Sequence, residues 1–322
     1  MQYFFITGSA GFIGSSLCEE LLKDQNNLVI GIDNFDDFYP RQTKEVNLAK
    51  LKESKNFLFY EADIKSSESL KKIASDHKID QIVHLAANAG VRPSLLDPRK
   101  YYDNNVLGTL NALELCREFK IPKLIFASSS SVYGQMQEFP LRENMNLGQP
   151  ISPYASTKLA CEHLCYTYSH LYNIKIAALR FFTVYGPKQR PDLAIHKFSN
   201  LIFNDKEIEV YGDGKTKRDY TFISDIIGGI IGAINYDKTP FEIFNLGESR
   251  SIELSYLINL LEINLGKKAK IKYCPKQPGD VDATYADISK ALELLNYKPQ
   301  TAIEDGIKIF AQWFLSNQKN RR

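Results

Sequence analysis

The sequence predicts an α/β fold in which a doubly wound parallel sheet is followed by a smaller C-terminal domain. Two observations carry this prediction. From Tyr3 to about Ala178, short β-branched or aromatic runs alternate with longer stretches of helical period, the pattern of a parallel sheet covered on both faces. After Arg180 the rhythm changes to shorter elements separated by turns rich in glycine, proline and charge.

Each element follows from its local pattern. Strands are predicted at the β-branched and aromatic runs Tyr3–Ile6, Leu28–Ile32, Phe57–Glu61, Gln81–Leu85, Lys123–Ser128 and Lys175–Leu179. Helices are predicted at Phe12–Lys23, Ser67–His77, Tyr101–Phe119, Pro153–Tyr172, Asp219–Ile234 and Leu254–Leu265. We therefore expect a first domain over 1–181, to which 219–248 returns, and a second domain over 182–218 and 249–322.

Length and composition narrow the class of protein. A chain of 322 residues suits two domains, or one large α/β domain with an appendage. The hydrophobic fraction of 44% and the charged fraction of 24% exclude collagen-like, coiled-coil and disordered proteins. With 40 basic and 38 acidic residues, the chain has no electrostatic reason to bind nucleic acid or an anionic membrane.

The chain is expected to be a cytoplasmic protein without a metal. Its first apolar run ends at Gly8 and lacks a basic start, and no later segment reaches the ~20 apolar residues that cross a bilayer. The five cysteines lack Cys-x-x-Cys spacing, so we expect reduced, buried thiols. His84 and His170 lie in core or helix patterns, and no His, Asp or Glu cluster has the spacing of metal ligands.

A glycine cluster follows the first predicted strand and opens a helix. Gly8 permits a tight turn, Gly11 lets backbone amides approach a pyrophosphate, and Gly14 lets the helix pack closely on the strand. The second strand ends at Asp33, about 20 residues beyond the cluster, where a carboxylate accepts hydrogen bonds from ribose hydroxyls. A carboxylate there repels a 2′-phosphate, so the residues predict a Rossmann-like domain that binds NAD in preference to NADP.

The spacing Gly-x-x-Gly-x-x-Gly resembles the short-chain dehydrogenase/reductase superfamily, and the resemblance extends along most of the chain. Asp63 matches the acidic residue that these proteins have near the adenine, and Asn105 matches an asparagine close to the cofactor. The run Leu-Ala-Ala-Asn-Ala-Gly at 85–90 matches their loop along the cofactor. The resemblance implies cofactor contacts from Gly8, Gly11, Phe12, Ile13, Gly14, Asp33, Asp63, Ile64, Leu85, Ala86, Ala87, Asn105, Tyr154, Lys158 and Phe182.

Tyr154 and Lys158 begin a predicted helix, and a separation of four residues puts the phenol and the ammonium on one face. A free tyrosine is a poor base because its pKa is about 10, and a neighbouring cation favours the phenolate. The third catalytic group of the family, a Ser or Thr hydroxyl, falls on Ser129, at the end of the strand that begins at Lys123.

The extended branch of this superfamily acts on nucleotide sugars. Its dehydratases and UDP-glucuronate decarboxylases have acidic residues where this chain has Ser130 and Ser131, so the resemblance favours re-reduction of a C4 ketone, an epimerisation. In such an isomerase, NAD stays tightly bound and is regenerated each turnover. Thr183 stands where UDP-galactose 4-epimerases have Asn, whereas the run 181–192 resembles the UDP-glucuronate 4-epimerases.

The same resemblance implies the substrate contacts. Arg190 is the preferred anchor of a C6 carboxylate, because an Arg fork donates two charge-assisted hydrogen bonds. Arg92 and Thr183 assist it, and Arg218 meets the UDP diphosphate. The predicted substrate-binding set is Arg92, Ser130, Thr183, Arg190, Arg218 and Gln277.

Three alternatives stay open at this point: a 4-epimerase for a UDP-hexose or UDP-N-acetylhexosamine, a UDP-glucuronate decarboxylase, and a dinucleotide-binding regulator without catalysis. The regulator is the weakest of them, because sensing NAD needs none of Tyr154, Lys158 and Ser129. The resemblance also implies a homodimer that pairs the apolar faces of 105–119 and 153–172. A role in supplying UDP-galacturonate for surface polysaccharide is expected.

Overall fold

The structure, a computed structural model, describes residues 1–275 and 281–319. Its strands are β1 (Gln2–Thr7), β2 (Asn27–Asp33), β3 (Phe57–Glu61), β4 (Gln81–His84), β5 (Lys123–Ser129), β6 (Lys175–Phe181), β7 (Thr183–Tyr185), β8 (Glu207–Tyr211), β9 (Lys217–Phe222), β10 (Phe241–Leu246), β11 (Ser251–Glu253) and β12 (Lys270–Cys274). Its α-helices are α1 (Phe12–Leu21), α2 (Arg41–Ala49), α3 (Ser67–Ser75), α4 (Val91–Leu96), α5 (Pro98–Tyr101), α6 (Gly108–Phe119), α7 (Pro153–Tyr172), α8 (Ala194–Phe203), α9 (Ile223–Asn235), α10 (Leu254–Leu265), α11 (Ser289–Leu295) and α12 (Ile303–Lys319).

The main sheet confirms the predicted doubly wound fold. Its seven strands are all parallel and lie in the order β10-β6-β5-β4-β1-β2-β3. On one side of β1, the sheet continues through β2 to β3. The chain then crosses to the other side of β1, where β4, β5 and β6 follow in order. Strand order therefore reverses between β1 and β4, and the crevice at their carboxyl ends is where ligands of such sheets bind.

The sheet separates two hydrophobic cores, which explains why its strands are nearly continuous apolar runs. Along β1, Phe4 and Ile6 face a core built with α1 and α9, whereas Phe5 faces a second core built with α6 and α7. Two small sheets, β11-β9-β7 and β12-β8, are formed by the later part of the chain. The division into two domains at residue 181 stays a prediction.

The predicted helix Asp219–Ile234 is wrong over its first four residues, which belong to β9. The carboxylate of Asp219 is fully buried and accepts hydrogen bonds from the amides of Glu248 (2.7 Å) and Ala286 (3.1 Å). These long-range bonds fix residues 219–222 as a strand, and the helix starts only at Ile223.

Other elements also differ from the prediction. The predicted helix Tyr101–Phe119 is interrupted by a π-helical stretch at Tyr102–Leu107 before α6 begins. The edge strand β10 was not predicted, because a short run between Pro240 and Gly247 carries little periodic signal. None of the helices within 1–275 and 281–319 is long and apolar enough to cross a bilayer.

A buried hydrogen-bond chain ties β1 to β4 below the crevice. The Oγ1 atom of Thr7 accepts from the amides of Leu85 and Ala86 (both 3.1 Å) and lies 2.8 Å from Nδ1 of His84. The other ring nitrogen of His84 lies 3.2 Å from Oγ1 of Thr109. The pattern assigns a neutral ring that accepts at Nδ1 and donates at Nε2. Burial, with a smaller effect from the Lys158 cation, lowers the pKa of His84 to about 3.

This buried ring predicts a pH-dependent stability. In the unfolded chain a histidine takes up a proton below pH ~6.5, whereas folded His84 stays neutral, so the free energy of unfolding falls as the pH drops below that value. Between pH 7 and pH 5 this loss amounts to about 2 kcal/mol, and His84→Gln removes it. Urea unfolding at both pH values measures it. His163→Gln, at an exposed position on α7, is the control; equal pH dependence in H84Q and wild type contradicts the assignment.

Candidate active site

A cavity of about 470 Å³ opens at the carboxyl ends of the central strands, along the line where strand order reverses. Most of the cofactor-binding, substrate-binding and catalytic residues predicted from the sequence line this cavity. Those that line it are Gly8, Gly11, Phe12, Ile13, Gly14, Asp33, Ile64, Leu85, Ala86, Ala87, Ser129, Ser130, Tyr154, Lys158, Phe182, Thr183, Arg190 and Arg218.

Three predicted site residues lie off the cavity wall. Asp63 accepts a hydrogen bond from the side chain of Asn34 (3.2 Å), which itself lines the cavity. The guanidinium of Arg92 lies 4.4 Å from the ring centroid of Tyr211. Asn105 is buried behind the wall. Gln277 falls outside the described residues.

Asn105 acts on the cavity through the loop in front of it. Its amide group exchanges two hydrogen bonds with the backbone of Asn88, at 2.8 and 3.0 Å, and donates a third to Thr157 (3.0 Å). Asn88 lines the cavity. The π-helical stretch that contains Asn105 therefore fixes the path of this loop, a frequent use of such stretches at functional sites.

The glycine turn is packed too tightly for side chains. Gly8 has φ +71°, and a Cβ there would lie 2.9 Å from the amide nitrogen of Ala86. A Cβ on Gly14 would lie 2.1 Å from the carbonyl oxygen of Gly8. The first turn of α1 after Gly11 has no side-chain cap. Its amides therefore face the cavity as donors suited to a pyrophosphate.

Asp33 ends β2 at the far side of this turn and is buried. Its carboxylate accepts from the amides of Ala10 (3.2 Å) and Phe35 (2.9 Å) and from the ammonium of Lys44 (3.3 Å). Lys44 also lines the cavity and is 5% exposed. Sequence reasoning missed it because a lysine on a polar helix is usually solvated. Its charge compensates the buried carboxylate.

Tyr154 and Lys158 lie on the first two turns of α7, which begins after a Ser152 cap whose hydroxyl accepts from the amide of Ala155 (3.1 Å). The ammonium of Lys158 is buried, donates to the carbonyl of Ala127 (2.7 Å) and lies 6.0 Å from the centre of the Tyr154 ring. The phenol and the ammonium thus share one helix face against the end of β5.

Ser129 ends β5 and turns the chain into a single 3₁₀ turn. Its hydroxyl oxygen accepts from the amide of Ser131 (3.1 Å). The hydroxyl of Ser131 is buried at the cavity wall and has no hydrogen-bond partner in the described part of the chain. Ser131 was absent from the predicted substrate-binding set, although it stands beside Ser130 at the position where related enzymes carry acids.

Arg190 reaches the cavity from the loop after β7. Its Nε and one terminal nitrogen bond the carboxylate of Asp192 at 3.0 and 2.8 Å, and the guanidinium lies 5.0 Å from the centre of the Phe38 ring. Asp192 thus occupies one edge of the Arg190 guanidinium. Arg218 also lines the cavity and donates to the carbonyl of Lys217 (2.8 Å).

Loops supply many of the wall residues that the sequence did not single out. They come from segments without periodic pattern, so only the closed fold brings them together. Examples are Phe38, Tyr39, Met136, Leu141, Val281 and Thr284.

Comparisons with known proteins agree with this geometry. Residues 5–310 match the family described as GDP-mannose 4,6 dehydratase. The chain belongs to this family. An uncharacterised protein of Methanocaldococcus jannaschii is 49% identical over 99% of this chain and 98% of its own length. The UDP-glucuronate 4-epimerase of Thermodesulfobacterium geofontis is 45% identical over 98% of this chain and 97% of its own length.

A solved structure extends the likeness to the whole fold. The UDP-glucuronic acid 4-epimerase of Bacillus cereus, in complex with UDP-glucuronic acid and NAD, superposes with a TM-score of 0.93 at 38% identity, covering 98% of this chain and 100% of that one. The resemblance to the nucleotide-sugar epimerases is confirmed.

Proposed function

We propose that this protein is an NAD-dependent isomerase that epimerises a UDP-sugar at C4, with UDP-glucuronate and UDP-galacturonate as its substrate pair. The observation that carries the proposal is the meeting of Tyr154, Lys158 and Ser129 in one cavity with the glycine turn and Asp33. The similarity to UDP-glucuronate 4-epimerases supports the same substrate.

The cavity has the features that NAD requires. The uncapped first turn of α1 suits the pyrophosphate, and a Cβ on Gly8 or Gly14 would clash with the backbone that holds this turn in place. The carboxylate of Asp33 suits the ribose hydroxyls, and Tyr154 and Lys158 line the cavity where the nicotinamide ribose is proposed to bind. When bound, NAD supplies the acceptor and donor of the hydrogen at C4.

Residues of the chain itself remove and return the proton of the 4-hydroxyl group. Tyr154 as phenolate takes the proton of the 4-hydroxyl and returns it after the sugar has turned its other face. The Lys158 cation stabilises the phenolate, and the hydroxyl of Ser129 donates a hydrogen bond to the reacting oxygen. Ser130 and Ser131 cannot act as carboxylate acids, which supports epimerisation over dehydration.

The carboxylate of a uronate needs a cation to bind it. Arg190 can provide this cation, because Asp192 occupies only one edge of its guanidinium. Once C4 is a ketone, the C6 carboxylate belongs to a β-keto acid that readily loses CO₂. Holding that carboxylate suppresses the loss. Ser130 and Thr183 line the same cavity and offer hydroxyl groups to it, and Arg218 is the proposed contact of the diphosphate.

A neutral UDP-hexose is the second candidate substrate. The observation in its favour is the Arg190–Asp192 pair, because a sugar without a carboxylate leaves that bidentate contact intact. A uronate has to share the guanidinium with Asp192. The two candidates therefore differ in what they demand of Arg190.

The reaction is tested by incubating the protein with UDP-glucuronate, UDP-glucose and UDP-N-acetylglucosamine and resolving the products by NMR. We expect UDP-galacturonate from the first. Tyr154→Phe should keep its bound NAD and lose about 1,000-fold in kcat, because the general base is gone. Tyr166→Phe, at an exposed site on the same helix, is the control. UDP-xylose as the main product, or full activity in Y154F, contradicts the proposal.

The substrate class is tested at Arg190. Arg190→Leu should lower kcat/KM for UDP-glucuronate about 100-fold, since the charge-assisted bonds to the carboxylate are lost. Turnover of a neutral UDP-hexose should change far less. Arg250→Leu removes an exposed arginine paired with Glu304 and serves as the control. Equal losses for both substrates would count against Arg190 as a carboxylate anchor.

We also propose a cytoplasmic homodimer that supplies UDP-galacturonate for surface polysaccharide. Large apolar side chains are exposed along the predicted faces 105–119 and 153–172, among them Leu107 at 42% and Leu171 at 61%. A second copy covering them removes this apolar surface from water. Sedimentation should give twice the chain mass of 36.7 kDa, and Leu107→Glu should give the monomer. A monomeric wild type at micromolar concentration contradicts the dimer.

A further inference from the structure

Below the cavity lies a buried charge network that the proposed reaction does not use. The carboxylate of Glu162 accepts hydrogen bonds from the hydroxyl of Ser128 (2.5 Å) and from two nitrogens of Arg180 (2.9 and 2.7 Å). All three side chains are at most 3% exposed. The Arg180 guanidinium lies 4.8 Å from the ring centre of Tyr133, whose hydroxyl donates to Asn245 (2.7 Å).

The network joins the elements that carry the site. Glu162 follows Tyr154 by eight residues and Lys158 by four, so the three side chains share one face of α7. Ser128 directly precedes Ser129 on β5 and is paired in register with Arg180 on β6. One carboxylate thus links the helix of the base and its cation to the strand end of the catalytic hydroxyl.

Stability alone does not explain a buried ion pair at this point. Taking two charges out of water costs several kcal/mol per ion, and well-packed apolar residues of similar volume often serve a fold as well or better. What apolar side chains do not reproduce is the directed set of bonds that Glu162 makes at once to β5 and β6.

We propose that Glu162 is a positioning residue, which with Arg180 holds Tyr154 and Lys158 in register with Ser129. The inference rests on the proposed function and assigns Glu162 no contact with substrate or cofactor. A base displaced by about 1 Å loses about 100-fold in rate. The glycine turn, Asp33 and Arg218, which are the proposed contacts of the pyrophosphate, a ribose and the UDP diphosphate, are not part of this network and are left in place.

The test uses two variants of the full chain. Glu162→Gln removes the charge but leaves Arg180 buried without its ion-pair partner, which can prevent folding. The double variant Glu162→Leu, Arg180→Met removes both charges and is expected to fold. For folded protein, kcat should fall about 100-fold, with KM for the UDP-sugar within about threefold of wild type and NAD content unchanged.

The control variant distinguishes a loss of kcat caused by displaced active-site side chains from one caused by lower stability of the fold. Cys165→Ser puts a hydroxyl into the core one turn later on α7 and should lower the melting temperature while kcat stays within about twofold. A folded double variant with kcat within about threefold of wild type overturns the inference. So does a loss of kcat in Cys165→Ser that matches the double variant at equal melting temperature.

A wild type that epimerises no UDP-sugar would contradict the proposed function instead. The positioning role is then decided by a crystal structure of the double variant, which depends on no substrate. A shift of Tyr154 relative to Ser129 by more than about 0.5 Å supports the role, and unchanged positions overturn it.

Discussion

The rest of the site depends on one buried cation whose partners are neutral. The ammonium of Lys158 is 4% exposed, donates to the carbonyl of Ala127 at 2.7 Å and lies 5.0 Å from the ring centre of Phe126. Within 1–275 and 281–319, no carboxylate forms an ion pair with it. A buried charge in this condition is costly unless an opposite charge is placed beside it. The ring centre of Tyr154 lies 6.0 Å from this ammonium.

The other buried charges at the cavity are arranged differently. Asp33 is compensated by Lys44 at 3.3 Å, and Glu162 is compensated by Arg180 at 2.7 Å. These pairs are neutral overall, so they hold backbone and strand ends without adding net charge beside the cavity. The two buried pairs thus maintain geometry, whereas the Lys158 ammonium has no carboxylate partner in the described part of the chain. Electrostatic preorganisation of this kind costs no rearrangement at the moment of reaction.

Sequence reasoning recovered the parts of this arrangement that are local. The spacing of Gly8, Gly11 and Gly14 and the four-residue step from Tyr154 to Lys158 are read directly from the chain, because a turn or one helix face fixes them. The partners of Glu162, the unpaired hydroxyl of Ser131 and the compensation of Asp33 by Lys44 come from distant segments. Asp219 was assigned to a helix for the same reason: its bonds to residues 248 and 286 are invisible in a local window.

The central claim is that the hydrogen leaves C4 of the sugar and returns to the same carbon of the same molecule. UDP-glucuronate deuterated at C4, incubated in ordinary water with an equal amount of sugar labelled with ¹³C alone, tests this most directly by NMR of the products. We expect UDP-galacturonate that keeps its deuterium at C4, with none passed to the ¹³C-labelled pool. Deuterium lost to solvent, or shared between the two pools, would contradict it.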